Sequence, residues 1–480
     1  MSSYFTDQGL YESRREHDAC GVGAVASISG EKKHEIIEYG KQILLNLDHR
    51  GAASADDITG DGAGILFQIP DEFFRATSPR LQSALPPAGQ YGVGFVFNSK
   101  KKAIKEECEH ILMDAIAHYG LTVISWRDVP VNPACLGEVA LSAEPISRQV
   151  FIHGNGLSGI ALERQLYLAR KRAEKQVKER IGEDGEDFYL TSMSSRTICY
   201  KGLFMASQLF DYYPDLSDKQ MTSAISLVHQ RYSTNTLPNW RMAQPFRYVS
   251  HNGEINTLSG NLNQMRISET TLRSEVFGSA LDDLLPVLDP KTSDSACFDN
   301  MLEFLELNGR SLPHSMMMMI PEAFGPKYRI SSYKRSFYEY HSTIMAPWDG
   351  PAAMLFTDGR MVGGTLDRNG LRPAKYLVTT DGLVVIASET GVIPFPADKV
   401  AQRGRLKPGR MFLVDTEERR IITDHEIKGR ISRQKPYHRW LEDNRIELRG
   451  LFNASTSLPL DRDTYYTRMR AFGYQDEELL

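Results

Sequence analysis

Four short segments of the 480-residue chain concentrate residue types able to do chemistry: HDACGVG at 17–23, HQRYSTNT at 229–236, HNGEINT at 251–257 and SDSACFDN at 293–300. The first centres on Cys20. A cysteine that opens a chain carries a thiol and a free α-amine on one Cα, with ordinary pKa values of about 8.5 and about 7.7–8.0. An α-amine that is partly neutral near about pH 7 accepts the thiol proton, directly or through water, while the sulfur attacks a carbonyl carbon, so no histidine is required as base. This chemistry needs residues 1–19 to be removed. Left attached, they turn the amine into an amide and the base is absent. A cysteine at the start of a buried strand is otherwise most often an inert small hydrophobe.

HNGEI offers Asn252 with a side-chain NH₂ and Gly253 with a backbone N–H that a residue lacking Cβ lets a ligand approach closely. Aimed at one point, the two form an oxyanion hole, in which a single donor contributes about 2.7–4 kcal/mol to the transition state. Asn-Gly is also the commonest short turn dipeptide, and the motif alone favours the turn. Arg231 ends an apolar strand pattern, ISLVHQR, and its forked donors suit a carboxylate; an internal salt bridge satisfies the same fork. Asp294 can receive an ammonium, or Ser293 or Asp294 can cap the helix that starts there. A free amino acid with an amide side chain needs a carboxylate clamp, an ammonium acceptor, an oxyanion hole and a nucleophile. These segments offer one of each.

The elements that must position these residues are of mixed type. CGVGAVASIS reads as a buried strand with close-approach glycines, followed by a helix over KHEIIEYGKQILLNLDHRG that stops at Gly51. GAGILFQI, YGVGFVF and LTVISW are strands, with a helix near 101–119 between the last two. Residues 159–180 form the clearest amphipathic helix, and its basic C-terminal half reads as a solvated face. Residues 187–230 return to strand texture with a helix at LFMASQLF; 281–310 read as helical, with Met316–Met319 beyond them as core packing. AAMLFTDG, RMVGGTLD, KYLVTT and GLVVIAS, separated by Asp-Gly turns, predict antiparallel hairpins in place of βαβ units. From about residue 425 the chain becomes charged and loses its period, as a linker does.

Composition narrows the functions. With 41% hydrophobic and 24% charged residues the chain has the make-up of a soluble globular protein. It has no apolar run of the ~18 residues that a membrane span needs. The 56 basic and 61 acidic residues give a net charge of -5, which supplies no general attraction to nucleic acid or anionic lipid. Cys20, Cys108, Cys135, Cys199 and Cys297 are scattered without CxxC spacing, which argues against a disulfide framework, a zinc site or an iron–sulfur site and for a reducing, cytoplasmic setting. Residues 1–19 are polar, carry both charge signs and lack the apolar region of a secretory signal.

Longer blocks carry a resemblance. CGVG at 20–23, LDHRGAASAD with GDGAG at 47–64, HQRYSTNTLPNWRMAQPFR at 229–247, HNGEINTLSGN at 251–261, SDSACFDNMLE at 293–303 and LDRNGLRPAKY at 366–376 together resemble the amino-terminal glutaminase domains of glutamate synthase large subunits, which are class II glutamine amidotransferases. The resemblance implies an α+β fold, a four-layer αββα sandwich of the N-terminal-nucleophile hydrolase type. It also implies that Cys20 is the nucleophile and its α-amine the base, that Asn252 and Gly253 form the oxyanion hole, and that Arg231 and Asp294 hold the carboxylate and ammonium of L-glutamine. The stretch Tyr232–Pro245 resembles a loop that closes over bound glutamine.

On the same grounds residues 1–19 are expected to be a leader removed on maturation, 20–424 the amidotransferase domain, and 425–480 a connector towards a central domain. The implied reaction hydrolyses glutamine to glutamate and ammonia, the ammonia then converting 2-oxoglutarate to glutamate. No cofactor is expected in this chain; FMN and an iron–sulfur cluster are implied for the full-length enzyme, as are synthase domains in the same or a separate chain and a small electron-donating subunit or ferredoxin. Two alternatives stand beside this: a stand-alone class II amidotransferase subunit, and an unprocessed, catalytically silent binding module.

Overall fold

The computed structural model describes residues 20–53, 56, 58–231, 238–446 and 461–474. The expected leader, residues 54, 55 and 57, the first six residues (232–237) of the expected glutamine-closing loop, and residues 447–460 and 475–480 lie outside the described residues. The strands are β1 Gly21–Ser27, β2 Ala63–Gln68, β3 Tyr91–Asn98, β4 Thr122–Asp128, β5 Ile146–His153, β6 Tyr189–Ser194, β7 Thr197–Gly202, β8 Ile225–Gln230, β9 Val249–Gly253, β10 Ala352–Thr357, β11 Met361–Leu366, β12 Lys375–Thr379, β13 Leu383–Ala387, β14 Val400–Arg405, β15 Met411–Asp415 and β16 Arg420–Ile422. They form a seven-stranded sheet in the order β14-β12-β13-β1-β8-β2-β7 and a five-stranded sheet in the order β16-β15-β11-β10-β9.

Period-two alternation explains how the two sheets stack. In β1, Val22, Ala24 and Ala26 join Leu227 of β8 and Ala353 and Leu355 of β10 in one core between the sheets. Residues 21 and 23 face the other way, onto the helix Glu35–Asn46 and the residue after it. A Cβ on Gly23 would stand 2.5 Å from Ile43, and one on Gly21 3.0 Å from Leu47. The outer face of the five-stranded sheet is covered by the helices Asp294–Leu307 and Leu312–Met319, where Phe298, Leu302 and all four methionines 316–319 pack against Met354 and Phe356. Helix, sheet, sheet and helix are the four layers of the expected αββα sandwich, and the Asp-Gly hairpins β10–β11 and β12–β13 are antiparallel as expected.

The structure adds to this plan and corrects it in places. A further sheet, β4-β5-β3-β6, packs Tyr91, Val93, Phe95 and Phe97 into the same core as Phe67 and Tyr200, and carries the helices Lys102–His118 and Gly159–Arg180 on its other face. The LFMASQLF helix starts only at Gln208; Leu203, Phe204 and Ala206 are buried in a non-helical approach to it. The 281–310 stretch is broken, with a 3₁₀ segment at Gly278–Leu284 and the α-helix beginning at Asp294. The basic half of the 159–180 helix is not wholly solvated: Arg170 is buried, paired with Glu303 at 2.5 Å and Glu174 at 3.0 Å. The aperiodic connector reading fails for Asp424–Ser432 and Tyr437–Asn444, which are helices whose Ile427, Ile431 and Tyr437 are buried in the main core. Among the described residues no helix is long and apolar enough to cross a membrane.

Buried histidines set a pH dependence of stability. Burial pushes His229 down to about 3, His314 to about 3 and His341 to about 4. In an unfolded chain each titrates near its ordinary ~6.5. Below that value the unfolded state binds more protons, so stability falls as the pH drops from ~6.5 towards ~4. Asp299 and Glu306, raised by burial to about 6 and about 7, act in the opposite sense, because the folded state takes up their protons first. The histidines outnumber them. Thermal denaturation is expected to give a lower Tm at about pH 5 than at about pH 6.5; an equal or higher Tm at the lower pH would contradict the balance.

Candidate active site

Cys20 precedes the central strand β1 and is half-buried. The next residue, Gly21, pairs with Gln230 of antiparallel β8, so Cys20 stands level with Arg231 at the same end of the sheet. Continuing the alternation of both strands puts the two side chains on the face that looks towards the second sheet. Arg231 is buried, and its N–H donates to the Gly62 carbonyl at 2.8 Å. Burial holds its guanidinium below the ordinary value; negative charge at Cys20, Asp61 and Asp294 counters this, in that order of strength. Arg231 therefore has the thiol and two carboxylates within electrostatic reach.

Across the inter-sheet space lies β9. Its Ser250 hydroxyl donates to the Val228 carbonyl of β8 at 3.1 Å, so that face of β9 looks at the first sheet, and Asn252, two residues on, shares it. Asn252 is 1% exposed, yet neither its side-chain oxygen nor its nitrogen has a hydrogen-bond partner among the described residues. Each orphaned buried polar group costs about 1–3 kcal/mol, which native folds keep mainly where a ligand will satisfy it. Asn252-Gly253 is not a hairpin turn here. It pairs in register with Ala353 and Ala352 of β10. Gly253 has φ +137°, and a Cβ there would lie 1.7 Å from the Pro351 carbonyl oxygen, so no other residue fits.

Asp294 enters from the outer layer, as the first residue of the helix Asp294–Leu307. The cap is Ser293, whose hydroxyl accepts the Ala296 N–H at 3.2 Å, leaving the Asp294 carboxylate for other partners. Its Oδ2 accepts the Ile255 N–H at 2.8 Å, just beyond β9, and its Oδ1 accepts the Ser295 N–H at 2.6 Å. The five residues named from sequence thus come to one end of the sandwich: Cys20 and Arg231 from the first sheet, Asn252 and Gly253 from the second, and Asp294 from the helix layer.

Residues 20–440 match the family model for glutamine amidotransferases class-II. The chain belongs to this family. It is 45% identical over 474 residues to the glutamate synthase [NADPH] large chain of Bacillus subtilis, covering 98% of this chain and 31% of that one. It is 44% identical over 465 residues to the glutamate synthase [NADH] of Saccharomyces cerevisiae, covering 94% and 21%, and 38% identical over 492 residues to the ferredoxin-dependent glutamate synthase of Antithamnion sp., covering 100% and 32%. The chain therefore spans about a third or less of the length of these relatives.

Several residues of this class-II amidotransferase that sequence reasoning left without a role sit around the site. His229 donates its Nε2–H to the His251 carbonyl at 3.0 Å, joining the Arg231 strand to the Asn252 strand across the sheets. Gln244 accepts the His251 N–H at 2.9 Å, and Asp61 adds a buried carboxylate near Arg231. His229, Asp61 and His251 all fall inside the motifs quoted above, but their partners are distant in sequence and no spacing rule selects them. Cys108, Cys199 and Cys297 lie in separate cores, with burial raising their thiols to about 11, about 12 and about 11.

Proposed function

We propose that this chain hydrolyses L-glutamine to glutamate and ammonia at Cys20 and forms the glutaminase half of a glutamate synthase. The observation that carries the reading is the buried Asn252 amide, unsatisfied on both atoms among the described residues and facing the same inter-sheet space as Cys20 and Arg231. Arg231 clamps the substrate α-carboxylate and Asp294 accepts its α-ammonium, which fixes the side-chain amide at the thiol. With residues 1–19 removed, the Cys20 α-amine takes the thiol proton as sulfur bonds to the amide carbon. The oxyanion that forms is held by the Asn252 NH₂ and the Gly253 N–H. Collapse breaks the C–N bond, and the ammonium returns its proton to the departing nitrogen, giving ammonia and a γ-glutamyl thioester. Water then attacks the thioester, releasing glutamate and restoring the thiol.

The family match begins at residue 20, which supports the leader reading. The identity to glutamate synthases over almost the whole chain supports ammonia transfer to synthase domains, in the same or a separate polypeptide, where 2-oxoglutarate becomes glutamate. Electrons for that step come from a nicotinamide-linked subunit or ferredoxin, and the setting is the cytoplasm.

Asp294→Asn tests the substrate assignment. The amide lacks the charge that pairs with an ammonium, so KM for glutamine is expected to rise by about tenfold or more, the size of one hydrogen bond between charged groups. Steady-state ammonia release measures it, and an unchanged KM and kcat would overturn the role of Asp294.

A further inference from the structure

We infer that His251 and Ser295 are positioning residues that tie the Asp294 carboxylate to the oxyanion strand, so that the two ends of the substrate are held in one rigid frame. The inference rests on the reading of Asp294 as ammonium acceptor and goes beyond it. In β9 the side chain of His251 faces away from Asn252 and meets the first turn of the helix Asp294–Leu307: its Nδ1 lies 2.7 Å from the Ser295 hydroxyl oxygen. That hydroxyl donates to Asp294 Oδ1 at 3.1 Å. With its proton directed at the carboxylate, the serine oxygen accepts the Nδ1–H of His251, which leaves Nε2 as an unprotonated acceptor. Nε2 is buried and has no partner among the described residues, and an unpaired buried acceptor is the less costly of the two possible orphans.

His251 is 1% and Ser295 5% exposed. The His251 backbone is held at both its groups, the N–H by Gln244 at 2.9 Å and the carbonyl by His229 at 3.0 Å. Asp294 returns to the same strand through the Ile255 N–H at 2.8 Å. A carboxylate has about four lone-pair positions. The Ser295 N–H, the Ser295 O–H and the Ile255 N–H occupy three, leaving one on Oδ2 for an incoming ammonium. Burial lowers the His251 pKa, which keeps the imidazole neutral and adds no positive charge to compete for Asp294.

The test compares Ser295→Ala, Asp294→Asn and their double variant in the processed protein, with glutamine as substrate and with the desamino analogue 4-carbamoylbutanoate as competitive inhibitor. Ser295→Ala is expected to raise KM for glutamine about tenfold while kcat changes less than about twofold, with no change in the inhibition constant of the analogue, which has no ammonium. In the double variant the serine change should add nothing to the aspartate change, as for residues acting through one group. His251→Asn, whose amide N–H stands near the Nδ1 position, should keep KM closer to the parent value than His251→Leu. If Asp294→Asn raises KM but Ser295→Ala does not, or shifts the analogue equally, or if both His251 variants behave alike, the positioning inference is wrong and the Asp294 reading survives. If Asp294→Asn itself leaves KM unchanged, the Asp294 reading fails and takes the inference with it.

Discussion

Cys20→Ala is expected to abolish glutamine hydrolysis, a loss of about 10⁴-fold or more, as when the nucleophile of a covalent mechanism is removed. The fold should survive. Cys20 is half-buried and stands before β1, whose paired residues begin at Gly21, so the change removes one sulfur atom and no ladder hydrogen bond. A change of this kind outside the packed core usually stays within about 1 kcal/mol. Ammonia release and thermal denaturation, run side by side, check both halves. Residual hydrolysis near the parent rate with an unchanged Tm would show that another group attacks the amide.

The second large effect concerns the nitrogen on the same residue. A variant in which residues 1–19 cannot be cleaved keeps Cys20 nitrogen as an amide, which has no lone pair basic enough to take the thiol proton. Its kcat for glutamine is expected to fall by about 10²–10⁴-fold, the usual contribution of a positioned general base. Neither buried histidine of β8 and β9 replaces it. His229 points its Nε2–H at a carbonyl and burial pushes it down to about 3, and the His251 side chain is engaged with Ser295 on the opposite face of its strand. Equal rates for the trimmed and blocked proteins would remove the α-amine from the mechanism.

Much of this site is legible in the sequence because its residues sit where the local pattern changes. Cys20 marks the step from a polar stretch into a buried strand, and Gly253 and Asp294 mark the ends of a strand and a helix. The alternation of β1, β8 and β9 then decides which side chains share the inter-sheet face. The sequence reading of HNG favours a turn, because the dipeptide is common in hairpins; the strand pairing with β10 is set by residues about a hundred positions away and leaves no local trace. The same holds for the His251–Ser295 contact, 44 residues apart, and for the His229–His251 link, 22 apart. Of the further sheet β4-β5-β3-β6, the sequence reading names β3, β4 and β6 but misses β5 Ile146–His153, and its seat against the first sheet depends on aromatic packing between Phe95, Tyr200 and Tyr213, which only the tertiary fold brings together. The helices after residue 423 look like linker because charge hides their few core residues: in Asp424–Ser432 only Ile427 and Ile431 reach the apolar core, while Lys428 is buried by pairing with Asp424 at 2.9 Å.

The central claim is that residue 20 becomes a nucleophile when its own nitrogen is freed. The most direct measurement is mass spectrometry of the protein, trimmed and blocked at the leader, after exposure to a diazoketone analogue of glutamine. The account predicts one covalent adduct on trimmed protein, on the peptide that begins with Cys20, and little or none on the blocked form. Trimmed protein that stays unmodified, or carries the adduct on another cysteine, would contradict it.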